Sequence, residues 1–313
     1  MRLKTHLKGI LTGIGFTTGV LIAGGVQAQV ASHDCKKADG NTGVITTLPY
    51  SITQSGTYCL DKNITISANN SAITIYASNV TVDLNSHSIS GPRANGVPSI
   101  GATAGAGAVP FSFQNASHVN IRNGSISGMF AAAMFGTAGG SNPNKNIVFE
   151  NLNISNMQYG GIVVSQNSRC DDCVVRNNIL TRIDATLCTD CTNQTYVMPI
   201  AMWPGDRNKI IGNIISGMKE APGGLGSTGI SGGNKTLIEG NVIESESAAK
   251  LDTGVTCYSP PGLPTDVMII NNRMKNLRYG INFTYATGVY SGNMTVGTTT
   301  PYFGGGTSQG LNF

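Results

Sequence analysis

An all-β solenoid of about eight stacked coils is the fold class that this sequence predicts, and three features predict it. A Gly/Asn step followed by a short apolar run recurs along the chain, as in "VDLNSHSIS", "IRNGSIS", "IIGNIIS" and "YSGNMTV". A second signature, such as "AITIY", "GIVVS" or "GINFT", precedes each step, its first apolar residue 11 to 17 residues ahead. Between these runs no segment has the length or the periodicity of a helix. Self-similarity at a few tens of residues marks a solenoid, whose units stack to share one core.

The elements follow in chain order. Residues 1–28 carry Arg2, Lys4 and Lys8, then an apolar stretch, then the small-residue site Val26-Gln27-Ala28, which reads as a signal peptide and places the product outside the cytoplasm, secreted or periplasmic. Residues 29–62 form a small N-terminal cap, and residues 63–313 form the coiled domain. The repeat steps align on Asn85, Gly124, Asn151, Asn178, Asn213, Asn241, Asn272 and Asn293, spaced 21 to 39 residues apart. Asn and Gly suit such corners because both tolerate φ > 0, and stacked Asn side chains can ladder their amides. In the preceding strand the pairs Ile73/Ile75, Phe111/Phe113, Ile162/Val164, Ile200/Met202, Val255/Cys257 and Ile281/Phe283 point inward, since side chains alternate along a strand. The Gly/Ala-rich stretch from Gly91 to Val109 interrupts the repeat as a loop, and Gly304-Gly305-Gly306 reads as a frayed end.

Composition narrows the partners. Of 20 basic and 16 acidic residues, the signal peptide removes three basic ones, so the remaining chain is near neutral. That argues against nucleic acid. No second apolar segment is long enough to span a membrane once the signal is cleaved. Only 12% of residues are charged, while Gly, Asn, Ser and Thr abound, which gives a hydrogen-bonding surface. A single elongated monomer is expected.

Seven cysteines in an exported chain suggest disulfides. Cys35 and Cys59 flank the cap and are expected to staple it. Cys170, Cys173, Cys188 and Cys191 form CxxC-x14-CxxC, a spacing that disulfides, a four-thiolate zinc site or redox chemistry could each use. The oxidising compartment favours disulfides. Cys257 points inward and is expected to stay free and buried.

The stretches "VTVDLNSHSISG", "YGGIVVSQNSRCDDCVVRNNIL" and "RYGINF" resemble the right-handed parallel β-helix superfamily, which includes pectate lyases, polygalacturonases and alginate epimerases. The resemblance runs from about Ile64 to Val296. It implies that fold and an acidic polysaccharide as partner, acted on at the outer face of one strand column. The polygalacturonase motifs are absent, so no catalytic residue carries over, and function must come from the site.

Two outward columns point to such a site. Trp203, the only Trp, and Tyr258 share one offset in coils two apart, with Gly233 between them. At about 4.8 Å per coil they stand roughly 10 Å apart, as platforms for sugar rings beside a dip. In the next turn, Asp171, Asp172 and Asp206 fall on neighbouring coils. Carboxylates this close can act as acid and base or bind Ca²⁺, the one cofactor the sequence suggests. Arg169, Arg207 and Lys209 lie nearby and could neutralise a uronate. The candidate catalytic residues are therefore Asp172, Asp206 and Arg207, with Trp203, Tyr258 and Lys209 as substrate-binding residues for a lyase or epimerase. The alternative is a non-catalytic glycan-binding or structural protein, in which Asp and Asn are simply turn residues. His87 and His118 read as corner hydrogen-bonders, and Asp83, Arg122, Arg176 and Glu239 as a solvated charge ladder.

Overall fold

The computed structural model describes residues 34–66, 71–91, 109–135, 144–164, 168–187, 196–203, 205–219, 226–246, 252–258 and 266–313. The signal-peptide segment, the Gly/Ala-rich loop and Cys188/Cys191 lie outside them. Among the described residues the strands form a 19-stranded and a 10-stranded sheet, and every strand pairing between coils is parallel. Each coil contributes to three faces. The first face takes Gly56–Leu60, Val80–Asp83, Val174–Arg176, Lys209–Ile211, Leu237–Glu239 and Val267–Ile270. The second takes Ser88–Ser90, Ile179–Ile183, Ile214–Met218, Val242–Ser245 and Arg273–Lys275. Two long bent strands, Ser117–Ser127 and Asn144–Met157, run through both, which is why the 19 strands make one sheet. The third face is the 10-stranded sheet, from Tyr50–Ile52 to Thr300–Gly304.

Stacked apolar columns make the core. On the third face Tyr50, Ile73, Phe111, Ala133, Ile162, Ile200, Ile230, Val255, Ile281 and Tyr302 pair in register from coil to coil. Ile162, Ile200, Ile230 and Ile281 thus share one column, as the repeat alignment requires. Val82, Ile121, Phe149, Val175, Ile210, Ile238 and Ile269 do the same on the first face, and all are sealed from water. Each such side chain is worth about 1.5–3 kcal/mol of burial, and the columns join in a single cluster.

The corner between the first and second faces shows why Gly/Asn recurs. Asn123, Asn151, Asn177, Gly212, Gly240, Asn271 and Gly292 all sit at φ of 56–66°. The residue after each turns inward. From Asn178 onward it is an asparagine, buried, and the amides chain together: Asn178 Nδ2 donates to Asn213 Oδ1 (3.0 Å), Asn213 to Asn241 (2.9 Å), Asn241 to Asn272 (2.9 Å) and Asn272 to Asn293 (3.0 Å). Each Nδ2 also reaches back to a carbonyl, such as Val175 or Ile210 (both 2.9 Å). The ladder satisfies corner groups that would otherwise be orphaned.

The structure corrects four readings. Asn151 is not a ladder position: Leu152 pairs with Gly124 and donates its N–H to Asn178 Oδ1, so that coil is shifted by one. The strand Ala131–Phe135, between the Phe111 and Ile162 coils, was not anticipated. Gly304 is not frayed, since Thr300–Gly304 pairs with the Tyr279 strand, and Asn312 caps the ladder by accepting from Asn293 Nδ2 (3.3 Å). The charge ladder is not solvated at its start: Asp83 is fully buried, and Glu150 belongs to it between Arg122 and Arg176.

The expected staple is present, with Cys35 bonded to Cys59. Cys170 is bonded to Cys173, which rules out a four-thiolate site that includes them. Cys257 is free and buried, and burial pushes its thiol up. Among the described residues no helix is long and apolar enough to cross a membrane.

Candidate functional site

The corner that enters the first face carries the predicted acidic column. Its turn residues stack as Ser78/Asn79, Ser117/His118, Lys145/Asn146, Asp171/Asp172, Asp206/Arg207 and Asn234/Lys235. The second member of each pair lies at φ of 52–57°. Backbone N–H groups tie each turn to the next: Asp172 N donates to Asp206 O (2.9 Å), and Arg207 N donates to Asn234 O (3.0 Å).

Two guanidiniums organise the carboxylates. Arg207 meets Asp172 through two bonds, Nε to Oδ1 and Nη2 to Oδ2, both 2.7 Å. Arg169 spans two coils, donating Nε to Asp171 Oδ1 (2.7 Å) and Nη2 to Asp206 Oδ2 (2.6 Å). Asp171 Oδ1 also accepts from Asp206 N (2.9 Å), and Asp206 Oδ1 from Asn234 Nδ2 (3.2 Å). The hydrogen-bonded Arg207 holds the Asp172 carboxyl below the usual range. Contact with Asp171 pushes Arg169 up, as contact with Asp172 does Arg207. The column is therefore a set of salt bridges. Among the described residues no group of three or more His, Cys, Asp or Glu side chains is arranged to hold a metal ion.

The aromatic column is brought together more tightly than expected. The rings of Trp203 and Tyr258 lie 4.2 Å apart between centroids, tilted by 49°. They lean toward each other over the intervening coil, where Gly233 stands; they are not separate platforms. Gly233 leaves no dip to fill. A Cβ there would come within 2.5 Å of the Gly205 carbonyl oxygen. Both rings stay partly exposed. Trp203 stands three residues before Asp206, and Asn208 Nδ2 donates to Met202 O (3.1 Å), which fixes the end of that strand to the turn. Lys209 is exposed on the first face, one coil from Val174, with its N–H donating to Cys173 O (2.8 Å).

Two carboxyl groups escaped the sequence reading. Burial alone would raise Glu150, but hydrogen bonds from Asn120 and Arg176 and the charges of Arg176 and Arg122 outweigh it and hold the carboxyl low. Asp252 is fully buried and accepts from the hydroxyls of Ser227 and Ser245, yet burial wins and raises it. Glu150 shares the offset of Arg122 and Arg176 but was hidden by the one-residue shift at Asn151, while Asp252 has no counterpart in other coils.

No family model matches the chain, and no curated protein matches it by sequence. Solved structures do match. An alginate lyase from Paenibacillus sp. str. FPU-7 aligns over 82% of this chain and 90% of its own, at 15% identity and a TM-score of 0.48. The A-module of the mannuronan C-5 epimerase AlgE6 from Azotobacter vinelandii aligns over 84% and 83%, at 14% identity and 0.42. Endopolygalacturonase I from Stereum purpureum aligns over 88% and 74%, at 14% identity and 0.41. These are likenesses of fold. By its parallel registers, three faces and stacked inner columns, the chain is a right-handed parallel β-helix.

Proposed function

We propose that this is an exported polysaccharide-binding β-helix protein that holds an acidic glycan at the corner of Trp203, Tyr258, Asp206 and Arg207. The observation that carries this reading is the Trp203–Tyr258 contact. Two aromatic rings from coils two apart meet and remain partly open to water at the mouth of a charged turn. Such a surface suits the apolar face of a sugar ring, while guanidinium and ammonium groups suit its carboxylate. Binding is favoured over turnover because Asp171, Asp172 and Asp206 are each engaged by a guanidinium, and Asp172 is held ionised. Export rests on the signal-like leader and the disulfides.

Calorimetry with a panel of acidic and neutral polysaccharides tests the reading. Trp203→Ala is expected to weaken binding of an acidic glycan by about 1–3 kcal/mol. Unchanged affinity in that variant would sink the proposal. Ultraviolet absorbance of unsaturated products in the same mixtures tests the lyase reading, in which Asp172 or Asp206 is the base and Arg207 neutralises the uronate. Turnover that Asp206→Asn abolishes would replace binding with catalysis.

A further inference from the structure

The outward side chains of the first two faces change character along the solenoid. In the early coils the second face shows Ser88 and Ser90, Ser125 and Ser127, then Asn153 and Ser155, stacked in register. Beyond them one of its columns turns apolar and reads Ile179, Ile214, Val242, Arg273, Met294. Across the corner, on the first face, the flanking column reads Ile211, Glu239, Ile270. Among the described residues nine large apolar side chains are exposed. Five of them, Ile214, Val242, Met268, Met294 and Val296, fall in four successive coils of this region. The corner between the columns is a bare ridge. Gly212, Gly240 and Gly292 hold its left-handed turn, and a Cβ on Gly240 would meet open space. An exposed apolar patch that continues through several coils marks a contact surface.

We propose that this ridge is the interface of a two-fold homodimer, in place of the monomer expected from the sequence. Two charges identify the occupant as a second copy. Glu239 breaks one apolar column, and Arg273 breaks the other, one coil further on. Among the described residues neither forms an ion pair, whereas Glu244 and Lys275 in the same two coils pair with each other. Glu239 and Arg273 stand on opposite sides of the ridge. A two-fold axis lying in the patch, diagonal to the solenoid, therefore sets each Glu239 against Arg273 of the other copy, so one self-complementary surface makes the same contact twice. The apolar columns of the two copies close around these pairs, as a dry core does in an interface. The bare ridge lets the two backbones approach. A lipid surface would cover the apolar columns and leave Glu239 without a partner. The Trp203 corner lies outside the patch, so the dimer and the glycan-binding reading stand or fall separately.

The test is sedimentation equilibrium of the disulfide-intact protein across micromolar concentrations, on the wild-type chain, on Glu239→Arg, on Arg273→Glu, on their equimolar mixture and on the doubly reversed chain. The wild-type chain is expected to dimerise. Each single reversal sets like charges face to face and is expected to weaken the dimer at least about ten-fold. The mixture is expected to recover a dimer, because each variant supplies the charge that the other needs, and the doubly reversed chain is expected to recover it alone. Recovery on mixing is a result that a misfolded variant would not give. A wild-type chain that stays monomeric overturns the proposal, as does a dimer that withstands both single reversals or a mixture that fails to recover one. A monomer that floats with vesicles of phosphatidylethanolamine and phosphatidylglycerol would make the patch a membrane surface and overturn the dimer.

Discussion

Two corners of the same coil obey the same geometry and are built differently. From Asn123 onward the corner between the first and second faces carries Asn or Gly at every positive-φ position, Ser86 in the first coil being the exception, and from Asn178 a buried amide ladder follows. The corner entering the first face repeats that backbone turn for six coils, yet fills it with His118, Asp172, Arg207 and Lys235. The first corner is what stability alone selects. The second departs from it in one column, and its side chains face water. The difference separates residues that hold the solenoid together from residues it displays.

The largest expected effect belongs to the ladder. Asn241→Ala removes the partner of Asn213 N and Nδ2 and the donor to Ile210 O, all buried. A loss of about 3–4 kcal/mol is expected, from several buried groups left unpaired, read as a lower denaturant midpoint. An effect below about 1 kcal/mol would remove the contrast between the corners.

Next is Asp252, outside both corners. Its folded pKa lies above its unfolded value, so its contribution is full below that unfolded value, near 4, and is lost as pH rises through the folded one. Asp252→Asn is expected to abolish that part of the pH dependence and to raise stability at neutral pH by about 1 kcal/mol. Unfolding midpoints from pH 4 to 7 check this, and an unchanged pH slope would contradict it.

In the charged corner the sign reverses. Lys235→Asn is expected to stabilise by about 1 kcal/mol, the scale of a left-handed residue relieved. An unchanged or lower midpoint would contradict backbone strain at Lys235. The smallest effect is that of the Asp172–Arg207 pair. Asp172 has a depressed pKa, so its contribution is present above the unfolded value and is lost as pH falls through the folded one. Both partners are substantially exposed, so salt is expected to abolish what little it adds.

The sequence displayed the first corner better than the second. Asn178, Asn213, Asn241, Asn272 and Asn293 repeat because a left-handed step followed by an inward amide admits few alternatives. The offset failed at Asn151, where Asn-Leu-Asn puts the left-handed asparagine where a ladder residue was sought and Leu152 takes the inward place. The Ala131–Phe135 strand lacks both Gly and β-branched residues, so its coil left no signature. Offsets also placed Asp172 beside Arg207 and Trp203 in line with Tyr258. They could not show that the rings close to 4.2 Å, because that depends on side-chain reach and not on backbone spacing. Arg169 bridging Asp171 and Asp206 was hidden for the same reason.

The central claim is that the displayed corner holds a glycan at Trp203. As the chain's only tryptophan, Trp203 reports on that site without a label. The most direct measurement is its fluorescence during titration of the folded, disulfide-intact protein with an acidic polysaccharide. A saturable change in emission is expected that weakens as salt is raised and shrinks in Tyr258→Ala. Emission that stays constant while calorimetry shows the same polysaccharide binding would place the glycan away from Trp203.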